Sequence, residues 1–235
     1  MNTFKNNSAL VVVDLQEDFL PPDGALAVQG GRDVIPPILR LLDVSKYKWK
    51  AVVATQDWHP VNHCSFASQH KMPPFMQKTF EHPLKQKDES GNILSSVQTV
   101  WPDHCVQQSK GSEIDPQFLK SFEELKLCNP NTKIIRKGYI AEQEYYSCFE
   151  DIWGLHKTEI TDFLRKREIT SLYFAGLAYD FCVLLSALDS AKYGFDTYVI
   201  KDCSESVFPD KKADTEAKLK SSGVKILTSE ELLDT

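Results

Sequence analysis

Between Leu172 and Asp202 the chain writes out one complete crossover. An apolar run from Leu172 to Ala175 ends at Gly176. A helical run then begins near Phe181 and stops at Gly194, and a second apolar run ends at Asp202. A strand, a turn, a helix and a strand in this order form a βαβ unit, whose two strands lie parallel and are joined right-handedly. Cys182 stands where the turn becomes the helix. First-turn N–H groups have no internal partner and carry partial positive charge, so they favour a thiolate and an oxyanion formed beside it. Taken alone, a small buried hydrophobe is the commoner reading of a cysteine here.

The rest of the chain repeats the pattern. Ala9 to Val13 is a continuous β-branched and apolar run, the mark of a strand buried on both faces in a parallel sheet. Ala51 to Thr55, Lys133 to Arg136 and Val224 to Leu227 are further strands. Helical patterns cover 34–44, 118–127, 158–167 and 211–221. The alternation predicts an α/β fold of three layers: a doubly wound, mostly parallel sheet with helices on both faces. With no repeat and no linker, residues 1–235 read as a single domain carrying a long loop insertion around 61–112.

Several strands end in residues that carry chemistry. Asp14 follows the first, where open α/β sheets place their sites, although it could equally cap the next segment. Asp57 and His59 follow the second and, two apart, point to one side. They could be metal ligands or surface chance. His63 and His70 are rivals that read as exposed. In Trp101-Pro102-Asp103-His104, Pro102 stiffens the loop, and His104 would complete an Asp/His/His set with open positions for water or substrate. Trp101 could instead be core. Lys137 ends a strand and would lower the pKa of a neighbouring thiol if drawn inward. Arg136 is its rival, and adjacent strand residues face opposite ways, so only one can enter a site.

Composition removes other classes. A net charge of −6 without a basic patch argues against nucleic acid and anionic membrane. The 6 cysteines lack a CxxC, and Met1 to Ser8 holds no apolar leader. An intracellular, first of all cytoplasmic, location is the expectation. No GxGxxG follows the first strand, against a nucleotide-binding oxidoreductase.

The motifs also match a known family. Val11 to Phe19, Thr55 to Pro60, Asn62 to Phe66, Trp101 to Val106, Lys137-Gly138 with Tyr146 to Phe149, and Gly176 to Val183 together resemble the nicotinamidases of the isochorismatase-like cysteine hydrolase superfamily. The resemblance implies hydrolysis of nicotinamide to nicotinate and ammonia through a cysteine thioester, a step of NAD salvage. It implies a catalytic triad of Asp14, Lys137 and Cys182. It implies one divalent metal ion, commonly zinc, on Asp57, His59 and His104. Phe19, Trp101 and Phe181 would be walls for the pyridine ring. The N–H groups of Ala178 and Cys182 would form the oxyanion hole, beside a cis peptide joining Leu177 to Ala178. Tyr179 stands where the family's form has Thr, which leaves the shape of that turn open. Related hydrolases of ureido or carbamoyl compounds keep the triad, and the metal set argues against them. The partner is the small molecule alone, and a homo-oligomer is left open.

Overall fold

The computed structural model describes residues 7–234, so most of the polar amino-terminal stretch read above lies outside the described residues. In chain order the elements are β1 (Ser8–Val13), α1 (Ile35–Leu41), β2 (Ala51–Asp57), β3 (Gln77–Glu81), β4 (Ser95–Thr99), α2 (Pro116–Cys128) and β5 (Thr132–Lys137). They continue with α3 (Ile160–Arg165), β6 (Ser171–Leu177), α4 (Leu184–Lys192), β7 (Asp196–Glu205), α5 (Lys212–Ser221), β8 (Lys225–Leu227) and α6 (Ser229–Asp234).

Six strands form one sheet in the order β5-β2-β1-β6-β7-β8, and every neighbouring pair is parallel. β1, β2 and β6 are buried along their whole length, as continuous apolar runs require. From β1 the chain winds outward through β2 to β5, and from β6 it winds the other way through β7 to β8. Right-handed crossovers in opposite directions put their helices on opposite faces. Accordingly α1 packs with α2, and α4 packs with α5. Among the described residues no helix is long and apolar enough to cross a membrane.

The structure departs from the sequence reading in several places. β2 and β5 run on to Asp57 and Lys137, so both site residues are strand residues. β7 continues past Asp202 to Glu205. The helix after β6 is preceded by a π-helical turn, Tyr179–Val183, closed by the Val183 N–H donating to the Ala178 carbonyl at 3.0 Å. The 61–112 insertion holds an antiparallel hairpin, β3 with β4. Its strands alternate exposed and half-buried residues and lack the apolar run that marks a core strand. Phe75 anchors it edge-on to Trp101, with ring centroids 5.8 Å apart.

Gly176 lets the sheet close at its centre. Its φ is +109°, and a Cβ there would lie 2.2 Å from the Val13 carbonyl oxygen of the neighbouring strand. Gly176→Ala meets both a forbidden backbone region and a backbone clash that no rotamer relieves. We expect a loss of more than about 3 kcal/mol in a urea titration. A midpoint unchanged from the parent would show that β1 and β6 part easily here.

Candidate active site

The winding of the sheet reverses between β1 and β6, and open α/β sheets carry their sites beyond the carboxyl ends of the strands at such a switch point. Asp14 leaves β1 there with φ +45°. Asp57 closes β2 and Lys137 closes β5, and the two are direct register partners. Cys182 sits in the π turn after β6.

Lys137 is the hub and is 0% exposed. Its Nζ lies 2.7 Å from Asp57 Oδ1, 2.9 Å from Asp14 Oδ2, 3.1 Å from the Tyr145 carbonyl and 3.4 Å from Cys182 Sγ. Asp14 is held from its other side by the Thr55 hydroxyl, which donates to Oδ1 at 2.6 Å. Cys182 Sγ lies within 4.8 Å of a carboxylate oxygen of Asp14 and one of Asp57. Arg136, the alternative to Lys137, points outward, stacks 4.0 Å over the Trp58 ring and donates to Gln56.

Burial and charge set the protonation of this cluster. Burial pushes the Asp14 carboxyl up, and the pull of Lys137 does not fully undo it. Asp57 is buried too, but Lys137 and then His59 outweigh this and hold it below the usual carboxylate range. Burial would lower Lys137, yet Asp14 and Asp57 hold it well above an ordinary lysine. Burial raises the Cys182 thiol well above an ordinary cysteine, with Lys137 opposing and Asp14 adding to the rise. The sequence reading has Lys137 lowering the pKa of a neighbouring thiol, and it does pull Cys182 down, but burial with Asp14 and Asp57 outweighs it. Here its charge is already shared by two carboxylates, so the sulfur rests as a thiol against a carboxylate that can take its proton.

Asp57, His59 and His104 each bring one donor atom within 4.8 Å of the others, all buried. The His59 Nδ1–H donates to the Gly138 carbonyl and the His104 Nδ1–H to the Pro102 carbonyl, each at 2.8 Å. In the neutral ring such a bond leaves Nε2 as the lone-pair nitrogen, the arrangement that orients imidazole as a metal ligand. Burial would lower the His59 pKa, but Asp57 raises it, and a bound cation would have to displace the added proton. With one oxygen of Asp57 on Lys137, the other faces His59 Nε2 at 3.6 Å. Two imidazoles and a carboxylate suit a first-row divalent cation with open positions. Burial, followed by the neighbouring His59, lowers His104 to about 4, so this ring is neutral and able to ligate. Gly138 is required here, because a Cβ would lie 2.3 Å from His59 Cε1.

His63 corrects the sequence reading, which has it exposed: it is 0% exposed. Its ring stacks on His59 at 4.0 Å, with Nδ1 paired to the Ser65 hydroxyl and Nε2 to the Gln143 carbonyl. Both nitrogens are committed, so it supports His59 and is not a fourth donor. His70 pairs with the Cys64 carbonyl at 2.7 Å.

One small pocket joins these groups, and Phe19, Trp101, Phe181, Ala178, Asp57, His59, His104 and Cys182 all line it. Trp101 meets Phe181 edge-on at 4.9 Å, and its indole N–H donates to the Tyr146 hydroxyl at 3.1 Å. Phe19 lies 5.5 Å from the His104 ring. The Leu177–Ala178 peptide is cis. Lining residues given no pocket role in the sequence reading include Leu26, Val207, Tyr146 and Glu144. Burial pushes the Glu144 carboxyl up to about 7. It lies in an irregular segment where no periodicity marks an inward side chain.

Such a centre can run acyl transfer through sulfur beside a bound cation. A family model for the isochorismatase domain matches residues 8–231. The nicotinamidase of Saccharomyces cerevisiae is 35% identical over 202 residues, 86% of this chain and 89% of that one. Its structure with the inhibitor nicotinaldehyde superposes with a TM-score of 0.84, covering 94% of this chain and 99% of that one at 32% identity. The nicotinamidase of Escherichia coli is 38% identical over 194 residues, 83% of this chain and 81% of that one. A pyrazinamidase of Pyrococcus horikoshii, solved in complex with zinc, has a TM-score of 0.67 at 30% identity and covers 94% of this chain and 99% of that one. The family match over residues 8–231 and the superposition on the yeast nicotinamidase agree, and the chain belongs to the isochorismatase family.

Proposed function

We propose that the protein hydrolyses nicotinamide to nicotinate and ammonia. The observation that carries this is a shared wall: the cysteine, the cation donor set and three aromatic rings line one small cavity. The relatives' names supply the substrate, since both of the curated relatives above are nicotinamidases.

Asp14, Lys137 and Cys182 form the catalytic triad in this reading. Asp14 takes the thiol proton as Sγ attacks the amide carbon. The N–H groups of Ala178 and Cys182 receive the oxyanion, where one such donor contributes roughly 3–4 kcal/mol. Asp14 returns the proton to the amide nitrogen, the C–N bond breaks, and ammonia leaves a thioester. Asp14 then deprotonates water, which attacks the thioester, and the sulfur departs and is reprotonated. Lys137 keeps Asp14 ionised often enough to act as base, although burial opposes it. Phe19, Trp101 and Phe181 hold the flat ring between them.

Asp57, His59 and His104 would hold a divalent cation, zinc in the first place given the zinc-bound relative. When bound, it supplies a positive pole that can attract the ring nitrogen of the substrate and orient it.

The test is ammonia release from nicotinamide with and without a chelator. Activity should fall at least tenfold on chelation and return with added zinc, while far-UV circular dichroism stays unchanged. No release from nicotinamide by the zinc-loaded protein would move the substrate to another amide. Unfolding on chelation would mark the cation as structural.

A further inference from the structure

Of the three donors, Asp57 ends a central strand and His59 follows it directly, whereas His104 stands on an irregular loop. A ligand on a loop needs something to hold it. The backbone of Cys105, the residue after His104, is gripped at both its N–H and its carbonyl. The Cys105 N–H donates to Asp18 Oδ2 at 2.6 Å, and the Cys105 carbonyl accepts the His59 N–H at 3.0 Å. Cys105 itself adopts φ +48°, an arrangement a free loop would rarely keep.

Asp18 belongs to the turn Glu17–Phe19 just beyond Asp14, and the chemistry above leaves it without a task. Its other oxygen accepts the Ala25 N–H at 3.2 Å, and its carbonyl accepts the Leu26 N–H at 2.9 Å. Gly111, further along the His104 loop, packs against the same carboxylate, so closely that a Cβ would lie 2.0 Å from Asp18 Oδ2. Phe19, the next residue, rests on the His104 ring. One carboxylate therefore ties the His104 loop to the segment that carries the pocket residues Phe19 and Leu26.

From this geometry we infer that Asp18 is a positioning residue for the metal centre, setting where His104 stands by holding the peptide that follows it. The inference rests on the metal-site reading above. An outer partner that orients a ligand typically governs metal affinity by about 10–100-fold. Asp18→Asn keeps the shape but one acceptor too few, so the Cys105 or the Ala25 bond is lost. Gly111→Ala attacks the same contact from the other loop by displacing the carboxylate.

Zinc affinity, measured by competition with a chromophoric chelator, is the test, in the parent, Asp18→Asn, Gly111→Ala, His104→Ala and the Asp18→Asn/His104→Ala double variant. We expect Asp18→Asn and Gly111→Ala each to lose at least tenfold in affinity. In the His104→Ala background, Asp18→Asn should cost less than twofold, because it acts through His104. If Asp18→Asn binds zinc within twofold of the parent, the inference fails and the metal site stands. An equal loss with and without His104 would mark Asp18 as general scaffolding and also overturns the inference. A parent that binds no zinc overturns the metal reading and this inference together. If Asp18→Asn does not fold, Gly111→Ala in both backgrounds decides.

Discussion

Cys182→Ala is expected to fold as the parent does and to release ammonia from nicotinamide at least about 10⁴-fold more slowly, the scale on which enzymes lose rate when a nucleophile is removed. The substitution removes one buried sulfur and its contact with Lys137, so the stability change should stay near 1 kcal/mol. No other cysteine is placed to substitute. Cys105 and Cys148 are fully buried, outside the lining of the cavity, and burial holds both thiols above an ordinary cysteine, Cys148 at about 12. The measurement is steady-state ammonia release together with intact mass after a rapid acid quench. The parent should show a nicotinoyl adduct and the variant none. Turnover within tenfold of the parent would remove Cys182 from the chemistry.

Lys137→Met should damage both fold and function. The methionine fills the space, but Asp14 and Asp57 are left buried without their common cation, and the Tyr145 carbonyl loses a donor. Breaking a buried pair by removing one partner costs about 3–5 kcal/mol, and at this chain length each kcal/mol moves Tm by roughly 2–4 °C, so a fall of about 10 °C is expected. The loss should depend on pH with a definite sign. Asp14 already stands above its ordinary pKa through burial, and without Lys137 it rises further. A carboxyl raised in the folded state leaves stability intact near its unfolded pKa and removes it as pH climbs through the folded value. The deficit should therefore be larger at pH 8 than at pH 5. Thermal melts at the two pH values check this, and a Tm within 2 °C of the parent at both would mean the hub is not needed to hold the sheet ends together. Activity should fall with stability, because an Asp14 kept protonated cannot accept the thiol proton.

The parts of the molecule legible in its sequence are those where burial dictates residue type. The fully buried strands β1 and β6 announce themselves as unbroken apolar runs, and the polar residues just past their ends are then conspicuous. Alternation says that only one of Lys137 and Arg136 can face inward, and burial of Lys137 in the structure shows which. The hairpin is not legible, because its strands are half-exposed and polar. His63 is not legible either, as its burial depends on Ser65 and on Gln143 from a segment distant in sequence. Glu144 and Asp18 are ordinary surface letters until the tertiary fold brings a cavity or a backbone N–H to them. The resting state of Cys182 was beyond reach for the same reason. It depends on how two carboxylates divide one ammonium, a matter of ångströms.

Asp57 has a consequence for how variation in this protein would be read. Its two oxygens serve different halves of the site, one bound to Lys137 and the other turned to the histidines. A screen that scores only loss of activity would rank Asp57 beside Cys182, although in the proposed chemistry it has no bond to make or break. In the metal-site reading proposed above, excess cation would compensate a weakened histidine but not a lost Asp57, whose bond to Lys137 no ion replaces. The position is pleiotropic in the geneticist's sense, and a suppressor of an Asp57 allele would have to repair two subsites at once.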